Sequence, residues 1–123
     1  MKKRLIYSAL CCLTLLLAAC RQDSEALLKE LKANPPADHV YDQVGLFSSQ
    51  DRAELSRFLF KVGEQTDAVI VVTALRSLRG DDIDGFASRL FEAWGIGQHG
   101  SDRGILILTA IEDRQIRIEV GYG

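Results

Sequence analysis

The fold is decided by the stretch Ala68-Val69-Ile70-Val71-Val72-Thr73-Ala74. Its centre consists of β-branched residues, and polar and apolar residues do not alternate along it. A strand with this pattern is typically buried on both faces, because helices cover both sides of a parallel sheet. The stretch therefore predicts a central strand of an α/β fold.

Amphipathic helices are predicted before and after this strand. The second of them is capped by Asp81 or Asp82 and ends at Gly95; its apolar stripe contains Ile83, Phe86, Ala87, Leu90, Phe91 and Trp94. The first helix begins after Ser48, which forms an approximate capping box with Asp51; its apolar stripe contains Leu55, Phe58, Leu59 and Val62.

Two further strands complete the predicted sheet. Residues 105–110 form a second apolar run, and Glu112 and Asp113 turn the chain back into residues 115–120, whose strict alternation indicates a strand with one polar face. The pattern predicts an α/β/α sandwich with a small mixed sheet, made of a βαβ unit and an antiparallel hairpin strand.

The N-terminus is typical of an export signal. A basic segment, Lys2-Lys3-Arg4, precedes an apolar run over residues 5–19, which is shorter than the ~20 residues of a membrane-spanning helix. The run ends in Leu17-Ala18-Ala19-Cys20, which resembles the lipobox of bacterial lipoproteins. That resemblance implies cleavage before Cys20, lipid on its thiol and a place in the bacterial cell envelope, facing the periplasm if the cell is Gram-negative. The alternative is an ordinary secretory signal with a chance cysteine.

This interpretation divides the chain into a signal peptide (1–19), a tether (20–37) that ends at Asn34-Pro35-Pro36, and a folded domain (38–123). Cleavage removes Cys11 and Cys12, so no thiol is left for a disulfide or a metal site. It also leaves 12 basic against 17 acidic residues, a net charge of −5. Such a chain has no basic face for nucleic acid.

Residues 95–100 spell the G-x-G-x-x-G fingerprint of dinucleotide-binding proteins. The fingerprint binds a pyrophosphate only where a strand ends and a helix begins. Here it follows a predicted helix and precedes a predicted strand, the reverse order. The glycines, from Gly95 to Gly100, are better explained by a helix stop and a flexible loop, and we expect no dinucleotide.

Five stretches together resemble the TPM domain family of bacterial envelope proteins and of thylakoid proteins of photosystem II repair. In chain order they are YDQVGLFS (41–48), GDDI (80–83), LFEAWGIG (90–97), DRGILI (102–107) and RIEVGYG (117–123). The resemblance implies an α/β/α sandwich and divalent-cation binding through Asp42, Asp81 and Asp82. It also implies acid phosphatase activity for some members.

The chain departs from the family in one respect. Family members continue past Gly121-Tyr122-Gly123 with further helices that cover the sheet. We therefore expect a fold that is incomplete at its C-terminus, and either a longer parent protein, an envelope protein partner or a second copy that supplies the missing layer, because uncovered apolar sheet faces of large area are rare in monomers.

The predicted topology gathers acidic residues at one edge. If the βαβ unit is parallel, both helices start at the carboxyl ends of the strands, where ligands of open α/β sheets bind. This edge would hold the side chains of Asp42, Asp81, Asp82, Glu112 and Asp113. Oxygen ligands of this kind suit Ca²⁺ or Mg²⁺, and Asp42, Asp81, Asp82 and Asp113 are the predicted metal ligands. Helix capping and turn formation are the competing explanation.

Other polar residues carry weaker hypotheses. Arg79 and Arg114 flank the acidic edge and are the candidates for binding a phosphate group. Asp102 is expected at the opposite edge, where it shapes the turn into a strand. His39 and His99 are expected to be solvated.

Three functions remain open. The first is a lipid-anchored accessory or interaction module of the cell envelope that binds divalent cations. The second is a metal-dependent acid phosphatase that acts on phosphomonoesters, and the third is a non-functional truncated copy.

Overall fold

A four-stranded mixed sheet forms the centre of the structure, a computed structural model that describes residues 2–98 and 102–122, without the side chains of Leu17 and Cys20. The elements in chain order are α1 (Lys2–Ala33), β1 (Val40–Asp42), α2 (Ser49–Thr66), β2 (Val69–Leu75), α3 (Ile83–Ala93), β3 (Gly104–Ala110) and β4 (Gln115–Val120).

The strands lie in the order β1-β2-β3-β4. The first three are parallel, with Val72 of β2 opposite Val40 and Ile107 of its neighbours, and β4 is antiparallel to β3. The predicted βαβ unit and hairpin strand are therefore confirmed. Helices lie on both faces of the sheet, as an α/β/α sandwich requires.

The first face of the sheet is covered by α1 and α3, and it holds the main core. The buried residues of this core are Leu27, Leu31, Val71, Leu75, Leu78, Phe86, Ala87, Leu90, Ile96, Leu106, Leu108 and Ala110. Leu27 and Leu31 are fully buried, although both were assigned to a tether. The packed domain thus begins before residue 38, because the second half of α1 presents an i, i+4 leucine pair to α3 and the sheet.

The second face is covered only over part of its width. Helix α2 contacts β1 and β2, and Val40 and Leu59 are buried there. Over β3 and β4 the apolar side chains of Ile116, Ile118 and Val120 are 65%, 56% and 59% exposed. The second apolar run, β3, is therefore fully buried on one face only, and its residues alternate between buried and half-buried.

Both helix starts are capped as the pattern predicted. The Ser48 hydroxyl accepts a hydrogen bond from the Asp51 N–H, and Asp82 rather than Asp81 caps α3 by accepting from the Gly85 N–H. These side chains satisfy backbone donors that have no partner within the helix.

The glycine-rich loop after α3 is explained by close packing. Gly97 has a positive φ of 76°, and a Cβ atom on it would lie 2.7 Å from the backbone nitrogen of Gly104. Only glycine allows both the turn and this approach of the loop to β3. His99 and Gly100 lie outside the described residues.

Candidate functional site

The five acidic residues of the predicted site follow the carboxyl ends of the three parallel strands, and we call them the acidic rim (Asp42, Asp81, Asp82, Glu112 and Asp113). Asp42 is the last residue of β1 and pairs with Ala74, while Leu75 of β2 pairs with Ala110 of β3. The strand ends are thus side by side, and the topology argument placed these residues at the correct edge.

Asp42 closes the turn that leads from β1 to α2. Its two carboxylate oxygens accept hydrogen bonds from the N–H groups of Leu46 and Phe47, each over 2.9 Å. Partial burial raises the pKa of Asp42, but these backbone hydrogen bonds outweigh burial, so that its pKa lies below the ordinary value. The residue is an ionised loop clamp whose oxygens already have donors.

Asp81 joins three parts of the structure. Its carboxylate accepts a hydrogen bond from the Asp82 N–H over 2.9 Å and pairs with the guanidinium of Arg89 on α3. Burial raises the pKa of Asp81, and the hydrogen bonds from Arg89 and from Ser24 of α1 lower it further than burial raises it. The side chain is only 18% exposed, so this charge is held by its arginine.

Asp113 and Glu112 lie in the turn between β3 and β4. Asp113 accepts a hydrogen bond from the Leu78 N–H over 2.8 Å and one from the Ser77 hydroxyl over 3.4 Å. This contact fixes the β2–α3 loop against the turn. Glu112 is exposed, with its carboxylate 4.0 Å from the Arg76 guanidinium.

The geometry limits what the acidic rim can bind. Within residues 2–98 and 102–122, no three aspartate, glutamate, histidine or cysteine side chains are close enough to hold one metal ion. Asp42, Asp81, Asp82 and Asp113 each accept hydrogen bonds from the protein itself. The residues therefore do not fit a compact site of several carboxylates, and the structural roles of caps and turns account for what is seen.

The two arginines proposed beside the acidic rim have different surroundings. Arg79 donates to the backbone carbonyl of Asp23 on α1 over 3.2 Å. Arg114 is exposed in the turn before β4. Both lie in loops that border the acidic rim, and both have a positive φ, 54° and 52°.

Sequence reasoning missed the part that α1 takes in this edge. Arg89 bridges Asp81 to Glu25 of α1, with 3.0 Å between the guanidinium and the Glu25 carboxylate. Ser24 is buried beside them. The helical spacing of Leu27 and Leu31 was the available signal, but spacing alone does not show where a helix docks.

His39 at the opposite edge is not the solvated residue that was expected. Its ring stacks on Phe60 with 4.3 Å between the centroids. Its Nδ1 is buried and has no hydrogen-bond partner among the residues that the structure describes. It borders a cavity of about 240 Å³ whose walls include Trp94, Pro35 and Val69. Asp102 is at this edge as predicted, with a φ of 55° and its carbonyl oxygen accepting from the Gly104 N–H. His99 falls outside the described residues.

The N-terminal half of α1 bears on attachment to a membrane. Its large apolar residues are exposed, for example Leu5 at 72% and Leu16 at 64%. The helix is long enough and apolar enough to cross a membrane, a criterion that a signal sequence also meets. The side chain of Cys20, the predicted lipidation site, lies outside what the structure describes.

Comparison with known proteins agrees with the fold. The solution NMR structure of the N-terminal domain of a protein from P. gingivalis superposes with a TM-score of 0.66 at 24% sequence identity. The match covers 76% of this chain and 59% of that one. No curated protein matches the chain significantly. The family model described as the TPM domain matches residues 40–123. The chain therefore belongs to the TPM domain family.

Proposed function

We propose that this protein is an accessory module of the bacterial cell envelope whose TPM domain is attached to the membrane by its N-terminal segment. The observation that carries the proposal is the continuity of α1. One helix runs from Cys20, the predicted lipidation site that remains after cleavage of residues 1–19, to a segment whose Leu27 and Leu31 are fully buried in the domain core. A domain built in this way is positioned at the bilayer rather than released from it.

We further propose that Cys20 carries the attachment as a lipidated cysteine. Leu17-Ala18-Ala19-Cys20 supports this through its resemblance to a lipobox. Several acyl chains give stable attachment without a basic membrane-binding patch, which suits a cleaved chain with 12 basic and 17 acidic residues.

Metabolic labelling with a fatty acid, followed by membrane fractionation, tests the attachment. The full chain is expressed in a bacterium, and Cys20→Ser is compared with Cys12→Ser as a matched control. We expect acyl label and membrane recovery in the control and loss of the acyl label in Cys20→Ser. An equal label in both variants contradicts lipidation at Cys20. Recovery of the unmodified protein in the soluble fraction contradicts membrane attachment altogether.

Divalent-cation binding at the acidic rim is part of the proposal in a restricted form. Because the carboxylates already have donors, an ion there is held by one or two of them together with water. Mg²⁺ is often bound in this way. Asp82 and Glu112 are the candidates, since both are exposed. The expected binding is weak and depends on the carboxylates at this edge.

A metal-dependent acid phosphatase is the second candidate. The matching family is named for a phosphatase, which favours this candidate. At the acidic rim, Arg79 and Arg114 are the residues that could bind a phosphomonoester, because a guanidinium donates two parallel hydrogen bonds to phosphate oxygens. A bound cation would neutralise charge on the phosphate.

A further inference from the structure

We propose that the carboxyl edge of the sheet, with the acidic rim, faces the membrane at the level of the phospholipid headgroups. The inference rests on the proposed membrane attachment and adds the orientation of the domain. It follows from where α1 meets the domain and from how few residues separate that contact from the anchor.

Helix α1 reaches the domain at the carboxyl edge. The carbonyl of Asp23 accepts from Arg79, and the carboxylate of Glu25 pairs with Arg89. The far end of the helix lies at the opposite edge, where Trp94 donates its indole N–H to the Leu31 carbonyl over 2.7 Å. The helix therefore runs antiparallel to the parallel strands, and its apolar half leaves the domain past the acidic rim.

The link from the anchor to this edge is short. Asp23 follows Cys20 by three positions, with two residues between them. This offset spans about 5 Å in a helix and at most about 11 Å in an extended chain. An acyl chain on Cys20 thus holds the carboxyl edge close to the bilayer surface. The carboxyl edge is also held close to the bilayer if residues 5–19 are retained in the membrane, because this segment ends directly before Cys20.

The exposed groups of this edge suit phospholipid headgroups. Exposed arginines point to that partner, namely Arg21, Arg76, Arg79 and Arg114. The carboxylates of Asp42, Asp81 and Asp113 are occupied by protein donors. Two exposed carboxylates share the edge with the arginines: Asp82, which caps α3, and Glu112, which lies 4.0 Å from the Arg76 guanidinium. Guanidinium groups bind phosphate oxygens in a bidentate manner. Because the chain as a whole is acidic, these contacts depend on the anchor that brings the edge to the surface.

The opposite edge is held away from the membrane. The central strand β2 has seven residues, which correspond to about 23 Å. Glu64, near the end of α2, and Glu112, in the turn after β3, are both exposed glutamates at opposite edges of the sheet. They form a matched pair of positions for a distance measurement.

The test is quenching of a fluorophore by a nitroxide on the lipid headgroup. The full-length protein, purified from bacterial membranes with Cys11→Ser and Cys12→Ser, receives Glu112→Cys or Glu64→Cys, is labelled, and is reconstituted into phosphatidylcholine–phosphatidylglycerol vesicles. The parent without an added cysteine corrects for labelling at Cys20. We expect quenching at Glu112→Cys that is at least twice that at Glu64→Cys. Gln115→Cys, which lies at the same edge opposite Ala110 of β3, and Gln65→Cys provide a second pair if either variant folds poorly.

The outcomes distinguish the proposed membrane attachment from the proposed orientation of the domain. Protein that floats with the vesicles but shows equal quenching at the two edges, or stronger quenching at Glu64→Cys, overturns the orientation alone. Protein that does not float with the vesicles overturns both the attachment and the orientation. Quenching at Glu112→Cys that falls when Arg76 and Arg114 are changed to glutamine supports the headgroup contact, and unchanged quenching overturns that contact.

Discussion

Trp94 donates its indole N–H to the backbone carbonyl of Leu31 over 2.7 Å, and this bond joins the end of α3 to the end of α1. Tyr41 of β1 packs on the same indole, with 5.8 Å between the ring centroids. The second half of α1 is thereby fixed at one end to the C-cap of α3 by Trp94, and at the other to the β2–α3 loop by Arg79 and to α3 by Arg89. It is a structural element of the domain rather than a spacer in front of it.

Truncation of Leu31 tests the packing of α1. Leu31 is fully buried, so Leu31→Ala removes apolar contacts and leaves a cavity, and we expect a loss of about 2–5 kcal/mol in the free energy of unfolding. Leu46, which is 54% exposed, is the control, and Leu46→Ala is expected to cost less than about 1 kcal/mol. Denaturant unfolding measures both. Equal, small losses in the two variants are incompatible with a packed α1.

The pH dependence of stability follows from the carboxylates with lowered pKa. The guanidinium of Arg52 on α2 donates to the carboxylate of Asp38 over 2.9 Å and lowers the pKa of Asp38. The folded-state pKa values of Asp42 and Asp81 also lie below their ordinary values, so the unfolded chain binds more protons than the folded one as the pH falls. Their stabilisation is complete above about pH 4, the unfolded value, and is lost as the pH falls through the folded values.

Asp81→Asn isolates one of these contributions. The variant removes the charge that pairs with Arg89, so we expect lower stability at pH 7 and a flatter decline between about pH 5 and pH 2. Unfolding curves over this range measure the effect, with Glu64→Gln as an exposed control that keeps the slope of the parent. If the stability of Asp81→Asn falls with pH as steeply as that of the parent, protonation of this carboxylate is not coupled to folding.

Cation binding and turnover at the acidic rim are tested through Asp82. Asp82→Ser removes the carboxylate but keeps a residue that caps helices well. We expect Ca²⁺ or Mg²⁺ at millimolar concentration to raise the unfolding temperature of the parent slightly, since a ligand that binds only the folded state stabilises it. The shift should be smaller in Asp82→Ser and unchanged in Asp84→Asn, whose carboxylate is 71% exposed.

The same variants separate the two candidate functions. Hydrolysis of p-nitrophenyl phosphate that needs the cation and fails in Asp82→Ser, but not in Asp84→Asn, supports the phosphatase. A cation-dependent stabilisation without turnover supports the accessory module. If the cation changes neither unfolding nor turnover in the parent, the acidic rim consists of caps and turns only.

The uncovered part of the second sheet face predicts association. Ile116, Ile118 and Val120 lie on the same face of β4, and each is more than half exposed. Apolar patches of this kind mark interaction sites. We expect Ile116→Thr/Ile118→Thr to lower self-association or partner capture with little loss of stability, since both residues are exposed and threonine suits a strand. Sedimentation over a range of concentrations measures this. Unchanged association in the double variant excludes this face as the contact.

The fold was predictable where local pattern and topology agree. The apolar runs of β2 and β3 and the stripes of α2 and α3 specify the parallel βαβ unit, although Phe58 of the predicted α2 stripe is 61% exposed. Ser48 and Asp82 cap the helices as their positions require. The alternation in β4 showed one polar face but not which face meets a helix. Arg117 lies on the α3 side, where its guanidinium is 3.3 Å from the Asp84 carboxylate, and the isoleucines are left outside.

The position of the acidic rim was predictable from the sequence, but the hydrogen-bond donors to its carboxylates were not. Topology alone places Asp42, Asp81 and Asp113 at one edge, because the carboxyl ends of parallel strands share it. The donors to Asp42 are local, namely the N–H groups of Leu46 and Phe47. Asp113 instead accepts from the Leu78 N–H, which is 35 positions away, and Asp81 pairs with the Arg89 guanidinium on α3. No local pattern announces such partners. The docking of α1 was hidden for a similar reason, since Asn34-Pro35-Pro36 resembles a domain boundary.

Hydrogen exchange of residues 24–33 in the membrane-bound protein tests the central claim most directly. The claim is that no flexible spacer separates the membrane-attached N-terminus from the TPM domain. The account predicts that the amides around Leu27 and Leu31 exchange as slowly as those of α3, because both helices share one core. Rapid exchange throughout residues 24–33, with α3 still protected, would show that the segment is a tether and would contradict the account.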